Sequence, residues 1–182
     1  IYDGSPDATI SSYDLEGVLT ADKEKVSVAG SASFVDKNAG EGKTVNVTGL
    51  ALSGTDKDNY KLSSNAITTT ATISPATLIL RAENYNKAYD GTASTENKYS
   101  QVGLVNGDEL SVVTKFSGKD VQDTALSISV DNYAINDGND GKNYSVIKLT
   151  GSGVIYKADV TLTADPATSI MGQPIEKVSG KA

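Results

Sequence analysis

The side chains able to do chemistry in this chain are carboxylates, amines, amides and tyrosyl hydroxyls, because neither histidine nor cysteine occurs among its 182 residues. Without histidine the usual general base near neutral pH is missing, and so is the commonest zinc ligand. Without cysteine there is no thiolate nucleophile. A carboxylate pair could still hydrolyse a glycoside, given a cleft that orients the sugar, generally on aromatic faces. Tryptophan is absent, however, and the nine tyrosines fall largely at repeated positions. Two acidic turn segments that raise the question of calcium are Asp56-Lys-Asp58 and Asp137-Gly-Asn-Asp-Gly141. An EF-hand-type calcium loop needs oxygen ligands at alternate positions, a central glycine and a distal glutamate. Neither stretch supplies these, and both read as solvated turns. A lysine–asparagine amide crosslink would need a lysine, an Asn or Asp and a buried acid brought into contact by the fold. The residues thus nominate no catalytic, cofactor-binding or metal site, and the ligand-binding residues, if any, stay unknown at this level.

Repetition says more. Tyr2-Asp-Gly4 returns as Tyr89-Asp-Gly91, Phe34 as Phe116, Asn59-Tyr60 as Asn143-Tyr144, and the run from Ile73 to Leu78 as the run from Ile155 to Val160, in the same order and at offsets of 82 to 87 residues. Such self-similarity is the mark of tandem units. It divides the chain into a first unit, 1–74, a second, 75–157, and the opening of a third, 158–182. Tyr-Asp-Gly reads as architecture, the tyrosine closing the end of a unit and Asp-Gly making a turn. The alternative is a recognition motif with an aromatic platform and an acceptor. Asn59-Tyr60 and Asn143-Tyr144 read as points where the chain re-enters a strand with the tyrosine buried.

The elements that must position these landmarks are strands. Thr, Val and Ile make up about a quarter of the chain, and β-branched side chains favour a pleated surface. Apolar residues alternate in Val26-Ser-Val28, Val45-Asn-Val47, Leu110-Ser-Val112, Leu126-Ser-Ile128-Ser-Val130 and Val160-Thr-Leu162-Thr-Ala164, a period that buries one face and wets the other. Ala66–Ile73 reads as a Thr-rich strand. Turns fall at 38–42, 53–56, 106–108 and 136–141, and no window carries a helical stripe. The predicted fold is all-β: two small antiparallel units, immunoglobulin-like or β-grasp-like, in an elongated arrangement. Pro75 makes the junction extended and stiff. The strand 77–81 leads into the second Tyr-Asp-Gly, and nothing equivalent precedes the first, so the sequence reads as a piece of a longer protein. The tail 158–182 supplies a strand without a unit. An unpaired edge invites pairing, so the tail is expected to exchange into the first unit of another chain.

The landmarks Tyr2-Asp-Gly4, Phe34–Gly40, Gly42–Val47, Gly49-Leu50, Leu52–Gly54, Asn59–Leu62 and Ile73–Ala76 resemble the YDG and MBG repeat domains of large bacterial surface proteins, many of them adhesin-like. Gly172-Gln-Pro174 is similar to the start of an MBG repeat. The second unit departs from the pattern at Lys119–Thr124. The resemblance implies a non-catalytic spacer region, secreted or on the cell surface, with adjacent repeat modules as neighbours. Its alternative is a module that binds a host glycan or protein through Lys119–Thr124 or Asn136–Gly141 and gains strength by multivalency. No cofactor is implied. The formal charge of −7 repels phosphate, which argues against nucleic acid and anionic lipid. No stretch approaches the length of a membrane span.

Overall fold

The computed structural model describes residues 1–164, 171, 172, 180 and 181. Its first half holds four strands, β1 (Asp7–Ala8), β2 (Ser27–Phe34), β3 (Gly40–Ser53) and β4 (Ala66–Ile73), and two single-turn 3-10 helices, Thr20–Asp22 and Lys57–Asn59. The four strands form one antiparallel sheet in chain order. Its second half holds β5 (Ala76–Ala82), β6 (Lys87–Ala88), β7 (Tyr99–Val102), β8 (Glu109–Phe116), β9 (Leu126–Asn136), β10 (Tyr144–Leu149), β11 (Gly151–Gly153) and β12 (Ile155–Tyr156). These make two three-stranded sheets, β10-β5-β7 and β11-β9-β8, and the short pair β12-β6. Two more short strands, β13 (Thr163–Ala164) and β14 (Gly180–Lys181), pair with each other. The chain is all-β, as its composition predicts.

The two halves repeat each other down to single hydrogen bonds. The amide of Tyr2 donates to the carbonyl of Ser74, and that of Tyr89 to the carbonyl of Tyr156. Phe34 donates to Pro6, and Phe116 to Ala93. Tyr60 donates to Lys57, and Tyr144 to Gly141. Asp7 lies opposite Ser33 in the same way that Ser94 lies opposite Lys115. In each Tyr-Asp-Gly the aspartate accepts from the amide two residues on, Asp3 from Ser5 and Asp90 from Thr92. The glycine that follows takes positive φ, 84° at Gly4 and 78° at Gly91, where only a residue without Cβ sits without strain. Asp-Gly is therefore the turn that the sequence predicts.

The halves differ in one layer. In the second, β5 pairs parallel with β10 and antiparallel with β7, and its alternate residues Ala76, Leu78, Leu80 and Ala82 are buried. They face Phe116, Ile128 and Val130 from β8 and β9 across a single core. In the first half the segments matching β7 and β10, near 13–18 and 60–65, form no strand. Its core is small, Val45, Val47 and Leu50 beneath Ile10, Tyr13 and Leu62.

Three expectations are corrected by this difference. Pairing is not wholly antiparallel, because the chain returns to β5 only after a long excursion and arrives alongside it in the same direction. The Thr-rich strand β4 buries no face, only its last residue, Ile73, because it lies at an edge with no second layer over it. The predicted tail strand is regular only at Thr163–Ala164. Residues 158–162 take no strand pairing. The MBG-like Gly172-Gln-Pro174 lies outside the described residues beyond Gly172.

Leu80 has no accessible surface, so Leu80→Ala removes transfer energy and leaves a cavity, lowering stability by about 2–5 kcal/mol in urea unfolding. Ile67→Ala, on the exposed β4, changes it by less than about 0.5 kcal/mol.

Candidate functional site

The best-built polar cluster in the molecule lies where the two halves meet. The chain passes from β4 to β5 through two residues, Ser74 and Pro75, and Ile73 and Ala76 on either side are both buried in the same core. Tyr2, from the far end of the first half, folds back over this link. It is only 3% exposed, and its ring meets that of Tyr144 edge-on at 5.5 Å between centroids. Its hydroxyl donates to Asp108 Oδ2 at 3.0 Å. The hydroxyl of Tyr144 donates to the same oxygen at 2.5 Å, and Lys37 Nζ stands 3.7 Å from Oδ1.

Asp108 thus accepts two hydroxyl hydrogen bonds and faces one ammonium, and its side chain is only 4% exposed. A carboxylate taken out of water at this depth costs several kcal/mol unless partners replace its hydration. Here two of the three groups, Tyr2 and Lys37, belong to the first half and one to the second. Neither half satisfies Asp108 by itself. The Lys37 ammonium also lies 5.7 Å from the centre of the Tyr2 ring, within range of a cation–π attraction.

A second bridge runs through Asn143, which is fully buried. Its Oδ1 accepts the amide of Ala39 at 2.8 Å, and its Nδ2 donates to Asn38 Oδ1 at 3.2 Å. Asp137 holds Asn143 in place, its carboxylate accepting the backbone amides of Asn139, Gly141 and Asn143. Burial opposes the charge on Asp137, but these amides outweigh it and hold the carboxyl below the ordinary value. The loop Asn136–Gly141, whose acidic residues the sequence reads as a solvated turn, instead buries Asp137 and fixes Asn143 at the junction. Among the described residues no group of three or more acidic side chains is placed to hold a metal ion.

Two further sequence expectations find their places. Tyr144 opens β10 and is buried, as predicted, whereas Tyr60 enters no strand and is half-buried. Tyr2 closes the end of its unit, while Tyr89 is 40% exposed. Both differences follow from the neighbour each residue has or lacks. Lys87 is the buried lysine, donating to Asp90 Oδ1, to the Thr92 and Ser94 carbonyls and to the Thr92 hydroxyl. The Lys87 bond holds the Asp90 carboxyl down to about 2. Sequence reasoning did not single out Asp108. Only the structure shows its place in the repeat, where Asp22 accepts from Tyr60 as Asp108 accepts from Tyr144.

Burial, with the hydrogen bond and charge of Asp108 behind it, raises the pKa of the Tyr144 hydroxyl above its ordinary 10.0. The folded state then binds that proton more tightly than the unfolded chain. Its contribution is complete below pH 10.0 and is lost as pH climbs through the raised folded value. Melting temperature falls above pH 10, and Tyr144→Phe flattens that fall. For Asp137 the sign is reversed: its contribution is present above the ordinary carboxyl value of 3.8 and is lost as pH drops through the lower folded one. Asp137→Asn flattens the acid limb of the same melting-temperature profile.

The YDG domain model matches residues 1–70 and again residues 69–153. No match was found among curated proteins or among solved structures. Residues 154–182 lie outside both matched segments. With two adjacent copies spanning most of its length, the chain belongs to the YDG domain family.

Proposed function

We propose that the chain is a non-catalytic spacer, a run of YDG modules that holds other parts of a bacterial cell-surface or secreted adhesin-like protein apart. One observation carries this reading: the residues that define the repeat are spent on joining one copy to the next. Tyr2 of one Tyr-Asp-Gly lies buried against the neighbouring module and bonds its Asp108. Asn143, from the repeated Asn-Tyr pair, accepts from the Ala39 amide of the first half. A unit whose signature side chains build its own junction lengthens in fixed steps each time it is copied, which is the property a stalk requires.

The bacterial surface location rests on the company that YDG modules keep in adhesin-like proteins. The alternative, a module that binds a host glycan or protein, draws on two loops. Asn136–Gly141 is engaged with the junction through Asp137 and Asn143. Lys119–Thr124 stands where the first half places Lys37–Gly42, whose Lys37, Asn38 and Ala39 contact the next module. Asn136–Gly141 therefore has a use that needs no outside ligand, which supports the spacer over the binder.

The chain has no cysteine, so one dye-labelled cysteine in each half reports the distance between them by single-molecule energy transfer. A single narrow distribution is expected for the wild type. Tyr2→Ala, which empties the space over the Ser74-Pro75 link, broadens it. A broad wild-type distribution, or tight binding of a glycan by one isolated module, overturns the spacer reading.

A further inference from the structure

Asp108 ends a tight turn whose middle residues have a chemistry of their own. Its amide donates to the Val105 carbonyl at 3.2 Å, and Asn106 and Gly107 lie between the two, both exposed. Gly107 has φ of 97°, the left-handed geometry that a type II turn reserves for glycine. Asn106 has no such duty. Its φ is not positive, and the first half reaches Asp22 through Thr20 and Ala21 instead.

Asn106-Gly107 is the only Asn-Gly pair in the sequence. With no Cβ on the glycine, its nitrogen can approach the side-chain carbonyl of the asparagine before it. A Cβ built on Gly107 would meet nothing within 4 Å, so nothing crowds the approach. Among the described residues neither the Asn106 side chain nor the Gly107 amide makes a hydrogen bond. The four Asp-Gly pairs share the backbone but are tied down. Asp3 accepts the Ser5 amide, and Asp90 accepts from Lys87 and Thr92. Asp137 accepts three backbone amides, one of them from Gly141, the nitrogen that Asp140 would need.

We propose that Asn106 is a site of spontaneous deamidation and that its isoaspartyl product loosens the junction between the two halves. The Gly107 nitrogen bonds to Asn106 Cγ and gives its proton to solvent, while the side-chain nitrogen leaves as ammonia. A succinimide ring results, and water opens it. Opening at the side-chain carbonyl gives an aspartyl residue. Opening at the main-chain carbonyl gives an isoaspartyl residue, whose main chain runs through Cγ and is one atom longer. The Tyr144 hydroxyl accepts from the Val105 amide at 3.0 Å and donates to Asp108, so a single oxygen gauges the span of this turn. Val105 also packs on the first half, where a Cβ on Gly4 would come 3.1 Å from its Cγ1. A longer main chain between Val105 and Asp108 moves Asp108 from Tyr2 and Lys37, or Val105 from Gly4. Either shift frees the halves, and the added carboxylate repels Asp108. The inference rests on the junction geometry and holds whether or not the chain is a surface spacer.

Ageing the purified chain in mildly alkaline buffer tests this, followed by peptide mapping, isoaspartate-specific methyl transfer, melting temperature and the dye-pair distance between the halves. The peptide holding Asn106 is expected to gain the mass of amide-to-acid exchange, and to accept methyl groups, before any other. Melting temperature falls and the distance distribution broadens in step with that conversion. Asn106→Gln, which would have to close a larger ring, converts about tenfold more slowly or less and keeps both readouts unchanged over the same period. Fresh Asn106→Asp carries the charge without the extra main-chain atom and melts above the aged wild type. Conversion at another asparagine ahead of Asn106 overturns the site. Full conversion without a fall in melting temperature, or a fresh Asn106→Asp that melts as low as the aged chain, overturns its effect on the junction.

Discussion

The segment that links the two halves is also the central strand of the second core, and the rest of the structure depends on that constraint. β5 leaves the first half through Ser74 and Pro75 and runs between β7 and β10 with both edges paired. Leu78 and Leu80 lie at the centre of the second core with no accessible surface. The covalent link between modules and the central strand of a module are therefore one segment. Bending at the junction would drag a fully paired strand out of register, and a one-residue slip would turn its leucines toward water. Rigidity between the modules is in this way a by-product of completing the second core.

The first half shows what the same sequence pattern does without that strand. Tyr13-Asp-Leu-Glu-Gly17 and Tyr99-Ser-Gln-Val-Gly103 share their tyrosine and glycine, yet only the second forms a strand. Strand formation here is decided by the partner, as expected where β-propensity measures packing and cross-strand contact more than backbone preference. Asp22 and Asp108 diverge for the same reason. Both accept from a tyrosine, but Asp108 is desolvated by the neighbouring module and needs Tyr2 and Lys37 as well. A half-satisfied aspartate at that depth is costly, so the cluster favours one docked arrangement over near alternatives.

Much of the architecture can be read from the residues. Leu126, Ile128 and Val130 are buried alternately as their spacing requires, the Asp-Gly turns form in both copies, and Pro75 sits in a two-residue link. What escapes the sequence is what depends on long-range pairing. Asp108 meets Tyr2 across 106 residues and Tyr144 across 36, and no local pattern distinguishes it from a turn residue. The parallel partner of β5 is set by where the chain returns, which alternation does not encode. β4 carries the composition of a half-buried strand and stays wet on both faces, because the layer that would cover it does not form. Asp137 resembles a solvated turn residue in sequence and becomes a buried clamp only because Asn143 must be held toward the first half.

A module that completes its neighbour also divides stability unevenly along an array. In repeat proteins each unit contributes its own free energy and that of the interface it shares. Here the second half has two layers and one large core, while the first has one sheet and a core cluster of three buried residues. The first half is the weaker of the two, since it buries less apolar surface per strand. Lys119–Thr124 departs in sequence from Lys37–Gly42, whose Lys37, Asn38 and Ala39 reach the neighbouring module, so the two halves do not offer the same junction chemistry.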